Sequence, residues 1–202
     1  MTASMPLPAD RLTYRIYLIE DDLDLRSHLS ATLSDHGLQV SEFSSAEDFL
    51  DGGVDDSSPA VIVSDMILPG VSGIRLLETV RAAGIATPLI FISGYSTPAQ
   101  IIEGMKLGAV DFLWKPFKAD VLIHAVMQSL RADGQRLVQH AQQQDIAVRW
   151  AALTEREQEV CKLLLRGFGN KDISIQLGIQ PDTANKHHMK VMSKLGAETR
   201  SQ

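Results

Sequence analysis

The chain has 202 residues, 45% of them hydrophobic and 22% charged, the balance of a folded globular protein with room for one large domain or two small ones. No apolar run approaches the roughly 18 residues of a membrane span. Residues 1–10 lack the basic and apolar regions of a secretory signal. The single cysteine, Cys161, excludes a disulfide framework and makes the cytoplasm the default location. Charge is uneven along the chain. Residues 1–150 carry 11 Lys+Arg and 19 Asp+Glu, net −8, whereas residues 151–202 carry 8 and 6, net +2. An acidic front and a mildly basic rear point to two modules with different partners.

Residues 14–19 (YRIYLI) form a short apolar run rich in β-formers and predict a strand. Residues 22–36 place Leu25, Leu29 and Leu33 on one helical face and stop at Gly37. Residues 38–43 predict a second strand. Residues 45–50 predict a short helix capped by Ser45, with Asp48 three residues on. Residues 60–64 (AVIVS) and 88–92 (PLIFI) read as buried strands, separated by a helix over 73–83 with Ile74, Leu77 and Val80 on one face. A helix over 98–107 carries Gly104 in its interior, at a cost of about 1 kcal/mol relative to Ala. A fifth strand over 110–114 and a fifth helix over 118–131 follow. Five strands alternating with five helices predict an α/β fold, a doubly wound five-stranded parallel sheet in the flavodoxin-like order 2-1-3-4-5.

Such sheets bind ligands outside the carboxyl ends of their strands. Chemically capable residues gather there: Glu20, Asp21 and Asp22 after the first strand, Asp65 after the third, Ser93 after the fourth and Lys115 after the fifth. Converging carboxylates repel one another. A hard divalent cation with oxygen ligands, Mg²⁺ foremost, relieves that repulsion. A carboxylate with a cation on one flank and a hydroxyl and an ammonium on the other is suited to accepting a phosphoryl group.

The segments LIEDD, VIVSDMILPGVSG, FISG and LWKPF, each at a strand end, resemble the receiver domain of two-component response regulators, over residues 14–131. The resemblance implies that Asp65 is the phosphoacceptor. It implies that Glu20, Asp21 and Asp65 hold Mg²⁺ together with the backbone carbonyl of Ile67, and that Ser93 and Lys115 contact the phosphoryl group. Ser93 and Phe112 would form the switch, and the Lys115–Pro116 bond would be cis. Asp22 extends the acidic run, and a share in the metal stays open to it. An alternative reading is an acyl-phosphate enzyme using Asp65 as nucleophile. Phosphatases of the haloacid dehalogenase type carry a second Asp two residues on, where this chain has Ile67. A regulator rather than an enzyme is therefore expected.

Residues 132–150 are polar and Gln-rich and predict a mostly helical linker. A new unit over 151–202 opens with Thr154 and Glu157, spaced as a capping box. Its helix runs to about residue 166. Asn170 is expected to cap a second helix ending at 177, and a turn over 178–180 leads into a third helix over 182–195, with Pro181 in its first turn. Two short helices joined by a tight Gly turn are the helix-turn-helix pattern, in which the second helix enters the major groove. At 3.6 residues per turn, Lys186, Lys190 and Lys194 share one side of the third helix, and Ala184, His188, Val191 and Leu195 lie opposite. His187 and His188, being adjacent, diverge too far to form a metal site.

The run from Leu153 to Arg200 resembles the LuxR-type DNA-binding domain, and the whole chain resembles NarL/FixJ-type response regulators. By that resemblance Asn185, Lys186 and Met189 face bases, and Lys171, Thr183, Lys190 and Lys194 contact phosphates. The implied partners are a sensor histidine kinase, double-stranded DNA, RNA polymerase and, on phosphorylation, a second copy of the chain; no membrane is implied. Ala184-Asn185 stands where a Val-Lys or Val-Glu pair is common, so an operator does not carry over. The family's fourth helix should follow Arg200, so the last helix is expected to be missing from this sequence.

Overall fold

The computed structural model describes residues 14–55 and 57–196. It divides into two compact units, Met1–Leu137 and Val138–Gln202. The first unit is built on five parallel strands: β1 (Arg15–Ile19), β2 (Gln39–Phe43), β3 (Ala60–Asp65), β4 (Leu89–Ser93) and β5 (Asp111–Trp114), in the order β2-β1-β3-β4-β5. The expected topology is present. Helices α1 (Leu23–Ser34), α2 (Ala46–Gly52), α3 (Gly73–Ala82) and α4 (Pro98–Lys106) alternate with the strands, and α5 (Ala119–Ala151) follows β5.

Side chains alternate across the sheet, so each face gathers its own core. Ile16, Leu18, Val61, Val63, Ile90 and Ile92 meet Leu29, Leu33, Leu122 and Val126 on one side. Tyr17, Ile19, Ile62, Leu89 and Phe91 meet Phe49, Leu76, Leu77 and Val80 on the other. All six residues of β3 are buried, as a central strand covered on both faces must be.

Asp22, expected to begin the first helix and open to a share in the metal, is instead the N-cap of α1, where its carboxylate accepts from the Leu25 amide at 2.9 Å. Gly104 is more than tolerated. A β-carbon there would stand 2.8 Å from Cε2 of the buried Phe91 ring, so packing of α4 against the sheet requires glycine. The fifth helix does not stop at residue 131. Asp133, buried in α5, accepts from the Ala60 amide at 3.0 Å and pairs with Arg136 at 2.8 Å, fastening the start of β3. These contacts carry the first unit through Leu137, and α5 continues without a break over the residues expected to be linker.

In the second unit, α6 (Glu155–Leu165), α7 (Asn170–Leu177) and α8 (Pro181–Leu195) enclose Leu153, Val160, Cys161, Ile173, Ala184 and Val191. Thr154 and Glu157 form the expected capping box on α6. The expected cap at Asn170 is a correction. Gly169 is the N-cap of α7 and, having no side chain, makes no capping bond; the Asn170 side chain donates instead to Asn185 on α8. Within this unit, Trp150 packs on the core and Arg149 donates to the Leu195 carbonyl at 2.7 Å, satisfying an end carbonyl of α8. The expectation about a helix after Arg200 lies outside the described residues.

Candidate functional site

β1, β3, β4 and β5 are parallel neighbours, so their carboxyl ends open at one edge of the sheet. The register sets Asp65 beside Ile92, one residue before Ser93, and Ser93 beside Trp114, one residue before Lys115. One carboxylate oxygen from each of Glu20, Asp21 and Asp65 lies within 4.8 Å of the others. Glu20 and Asp65 are buried, whereas Asp21 faces solvent.

The Lys115 ammonium bridges the two buried carboxylates, 2.6 Å from Glu20 Oε2 and 2.5 Å from Asp65 Oδ2. The other Asp65 oxygen accepts from the Ile67 amide at 2.8 Å, which fixes the plane of the carboxylate. Burial holds the Glu20 carboxyl above the ordinary carboxylate range, against the downward pull of Lys115; the charges of Asp65 and Asp21 add to the rise. Burial also pulls the Lys115 ammonium down, but its bonds to Asp65 and Glu20 outweigh that and hold it above its ordinary value. Two of the three clustered carboxylates thus share one ammonium, and the donors that face one another are all oxygen. That donor set fits a small divalent cation.

Ser93, almost wholly buried, accepts from the Ser96 hydroxyl at 2.8 Å. Phe112 is half-buried against the α3–α4 side of the sheet, with its ring edge-on to Trp114 at 5.0 Å between centroids. The Lys115–Pro116 bond is cis. Ile67 is largely exposed and offers no acid or base beside Asp65, so the phosphatase reading lacks its second carboxylate.

The sequence reading missed two supporting residues. Arg26 reaches from α1 to donate to the Glu20 carbonyl at 2.6 Å, stiffening the loop that carries Glu20 and Asp21. Ser96 donates to the Ser93 oxygen and so helps to fix its position. Arg26 lies six residues beyond Glu20, where an outward-facing helical arginine gives no signal of its target. Ser96 sits in a polar turn that reads as ordinary loop.

On the second unit, Lys171, Thr183, Asn185, Lys186, Met189 and Lys190 are exposed. The Lys194 ammonium lies 2.6 Å from Glu157 Oε2 and donates to the Ala152 carbonyl at 3.0 Å, so a phosphate there would compete with a buried carboxylate. Glu157 is buried and needs a cation there. The Lys194 bond, followed by the Thr154 amide, holds its carboxyl at about 2. His188 bonds Asn170, and neither His187 nor His188 belongs to the one group of three or more possible metal ligands among the described residues, which is the cluster at Glu20. Nor is any described helix long and apolar enough to cross a membrane.

Two family models match the chain: the response regulator receiver domain over residues 16–127, and bacterial regulatory proteins of the luxR family over residues 151–202. The chain is similar to the transcriptional regulatory protein FixJ of Azorhizobium caulinodans, with 37% identity over 182 residues, covering 90% of this chain and 86% of that one. It is 36% identical to FixJ of Bradyrhizobium diazoefficiens over 187 residues, covering 93% and 91%. Among solved structures, the response regulator StyR matches with a TM-score of 0.85 at 32% identity, covering 93% of this chain and 94% of that one. Full-length FixJ from B. japonicum matches with a TM-score of 0.58 at 36% identity, covering 92% and 91%.

Proposed function

Because the chain belongs to the FixJ-type response regulators, in which phosphorylation of a receiver domain controls a LuxR-type DNA-binding domain, we propose that Asp65 is the residue phosphorylated and that α8 reads the operator. The observation that carries the proposal is the Lys115 ammonium held between Glu20 and Asp65 at the carboxyl edge of the sheet. Glu20, Asp21, Asp65 and the Ile67 carbonyl would hold Mg²⁺, which when bound neutralises charge on the transferring phosphoryl group.

The rest of the chemistry falls to the chain's own residues. The Ile67 amide keeps the Asp65 carboxylate oriented. An Asp65 oxygen attacks phosphorus in line; the new O–P bond forms as the P–N bond to a histidine of the kinase breaks, and the imidazole keeps that electron pair. Lys115 is within reach of Asp65 and can turn from Glu20 toward the incoming phosphoryl oxygens. A donor histidine has an approach along a groove lined by Leu25, His28, Leu29, Tyr95, Pro116 and Phe117, beside Asp65 and Lys115. Its apolar walls suit a protein partner rather than a small polar donor.

A phosphoryl group on Asp65 offers oxygens that accept from the Ser93 hydroxyl, whose own hydrogen the bond from Ser96 leaves free. Drawing Ser93 inward moves the loop after β4 and makes room for the half-buried Phe112 ring to turn. That reshapes the surface of α4 and β5, where Ile102, Met105, Val110 and Trp114 are exposed apolar groups. Two copies then pair through that face and place two α8 helices on paired half-sites, where the promoter complex with RNA polymerase forms.

Sedimentation of the full chain with and without beryllofluoride tests this reading. A monomer that becomes a dimer, with tighter binding to DNA carrying paired half-sites, is expected. An unchanged mass would overturn it.

A further inference from the structure

α7 and α8 share a polar relay. The Asn170 amide nitrogen, Nδ2, donates to Asn185 Oδ1 at 3.0 Å. His188 Nδ1 lies 2.7 Å from Asn170 Oδ1. A carbonyl oxygen only accepts, so Nδ1 carries the hydrogen, and the relay runs in one direction from His188 through Asn170 to Asn185. Asn170 and His188 are half-buried, while Asn185 is exposed on the outward face of α8, beside Lys186 and Met189.

A free asparagine in the major groove pairs with adenine by using both ends of its amide, the oxygen accepting from N6 and the nitrogen donating to N7. In this chain the oxygen accepts from Asn170, which leaves the NH₂ group as the end without a hydrogen-bond partner among the described residues. The edge offered to DNA is therefore two hydrogens. Guanine, with acceptors at both O6 and N7, is the base edge that matches two donors.

Resting on the reading of α8 as the groove helix, we propose that Asn170 and His188 are specificity-determining residues. They lock the Asn185 amide so that it selects guanine rather than adenine. Neither touches a base; both act by setting which end of Asn185 faces outward. The relay also accounts for Asn170 giving up the cap of α7. Its side chain is committed to α8, and Gly169 caps the helix without a side-chain bond.

The test is selection from a random DNA pool with the full chain held active by beryllofluoride. Asn185→Ala identifies the base position concerned, as the one whose preference it flattens. At that position the unaltered chain should select guanine about tenfold over adenine, the discrimination of a two-bond contact. Asn170→Asp presents only acceptors, so Asn185 must donate to it and turn its oxygen outward. The preference should move to a base with a donor, adenine or cytosine. Asn170→Ala removes the tether and should leave adenine and guanine about equally selected. A guanine preference that survives both Asn170 substitutions overturns the relay while leaving the groove reading intact. If Asn185→Ala flattens no position in a site the chain otherwise selects, the groove reading of Asn185 fails, and the relay with it.

Discussion

Each unit contains a lysine pressed against a buried carboxylate, and the two pairs behave differently. In the second unit Lys194 faces one carboxylate, Glu157, which also accepts from the Thr154 amide and closes a helix cap. Charge balances, and the Glu157 carboxyl sits at about 2. In the first unit Lys115 faces Glu20 and Asp65 together, with Asp21 beside them. Charge does not balance, and burial drives the Glu20 carboxyl up instead of down. The satisfied pair is a strut. The unsatisfied cluster is the candidate site, because a cation arriving from outside would relieve its excess negative charge.

The largest effect expected from this contrast is on the cluster. Chelating divalent cations with EDTA should abolish labelling of the full chain by a small acyl phosphate, and Glu20→Gln or Asp21→Asn should raise the Mg²⁺ concentration needed to restore it. Labelling that persists in EDTA would place the excess charge outside the chemistry. Next, Lys115→Ala removes the ammonium that competes for Glu20 and Asp65. Mg²⁺ should then bind more tightly, read from quenching of nearby Trp114, while labelling slows because a phosphoryl contact is gone. Weaker Mg²⁺ binding would contradict the competition.

The strut should respond in the opposite sense, through stability alone. Lys194→Ala leaves Glu157 buried without its cation and should lower the melting temperature of the second unit. Acid should do the same to the unaltered chain. A carboxyl held at about 2 from an ordinary 4.5 contributes stability that is complete above 4.5 and is lost as pH falls toward 2. Amide exchange in α6 and α8 that stays flat across that window would show the pair to be ornamental. The smallest effect expected is at Lys190, exposed and unpaired with any acid among the described residues. Lys190→Ala should reduce the salt slope of DNA binding by about 1 on every sequence. Lys194→Ala should change the slope less, since its charge is already matched.

Much of this was legible in the sequence, and for physical reasons. Strand periodicity and short crossovers leave few topologies, and the carboxyl-edge rule then collects Glu20, Asp65, Ser93 and Lys115 although up to 95 residues separate them. What stayed hidden depends on where long side chains reach once helices pack. A lysine stripe on α8 reads as one base-facing lysine and two equal phosphate contacts, yet Lys194 pairs with Glu157, 37 residues earlier, and Lys190 does not. Asn170 reads as a cap because asparagine favours that position, yet the approach of α7 to α8 offers it Asn185 and His188 instead. The tie between residues 132–137 and the sheet is not legible in the sequence, because Asp133 reads as an ordinary polar residue of a helix. Only the fold brings the start of β3 to it.

The central claim is that the unbalanced cluster exists to load a phosphoryl group onto Asp65. Intact-mass measurement after incubation with a small acyl phosphate and Mg²⁺ tests it most directly, run on the full chain and on Asp65→Asn. The expected result is one phosphoryl group per chain, labile at alkaline pH as an acyl phosphate is, and none on the variant although it remains folded. An equal gain on Asp65→Asn would contradict the claim.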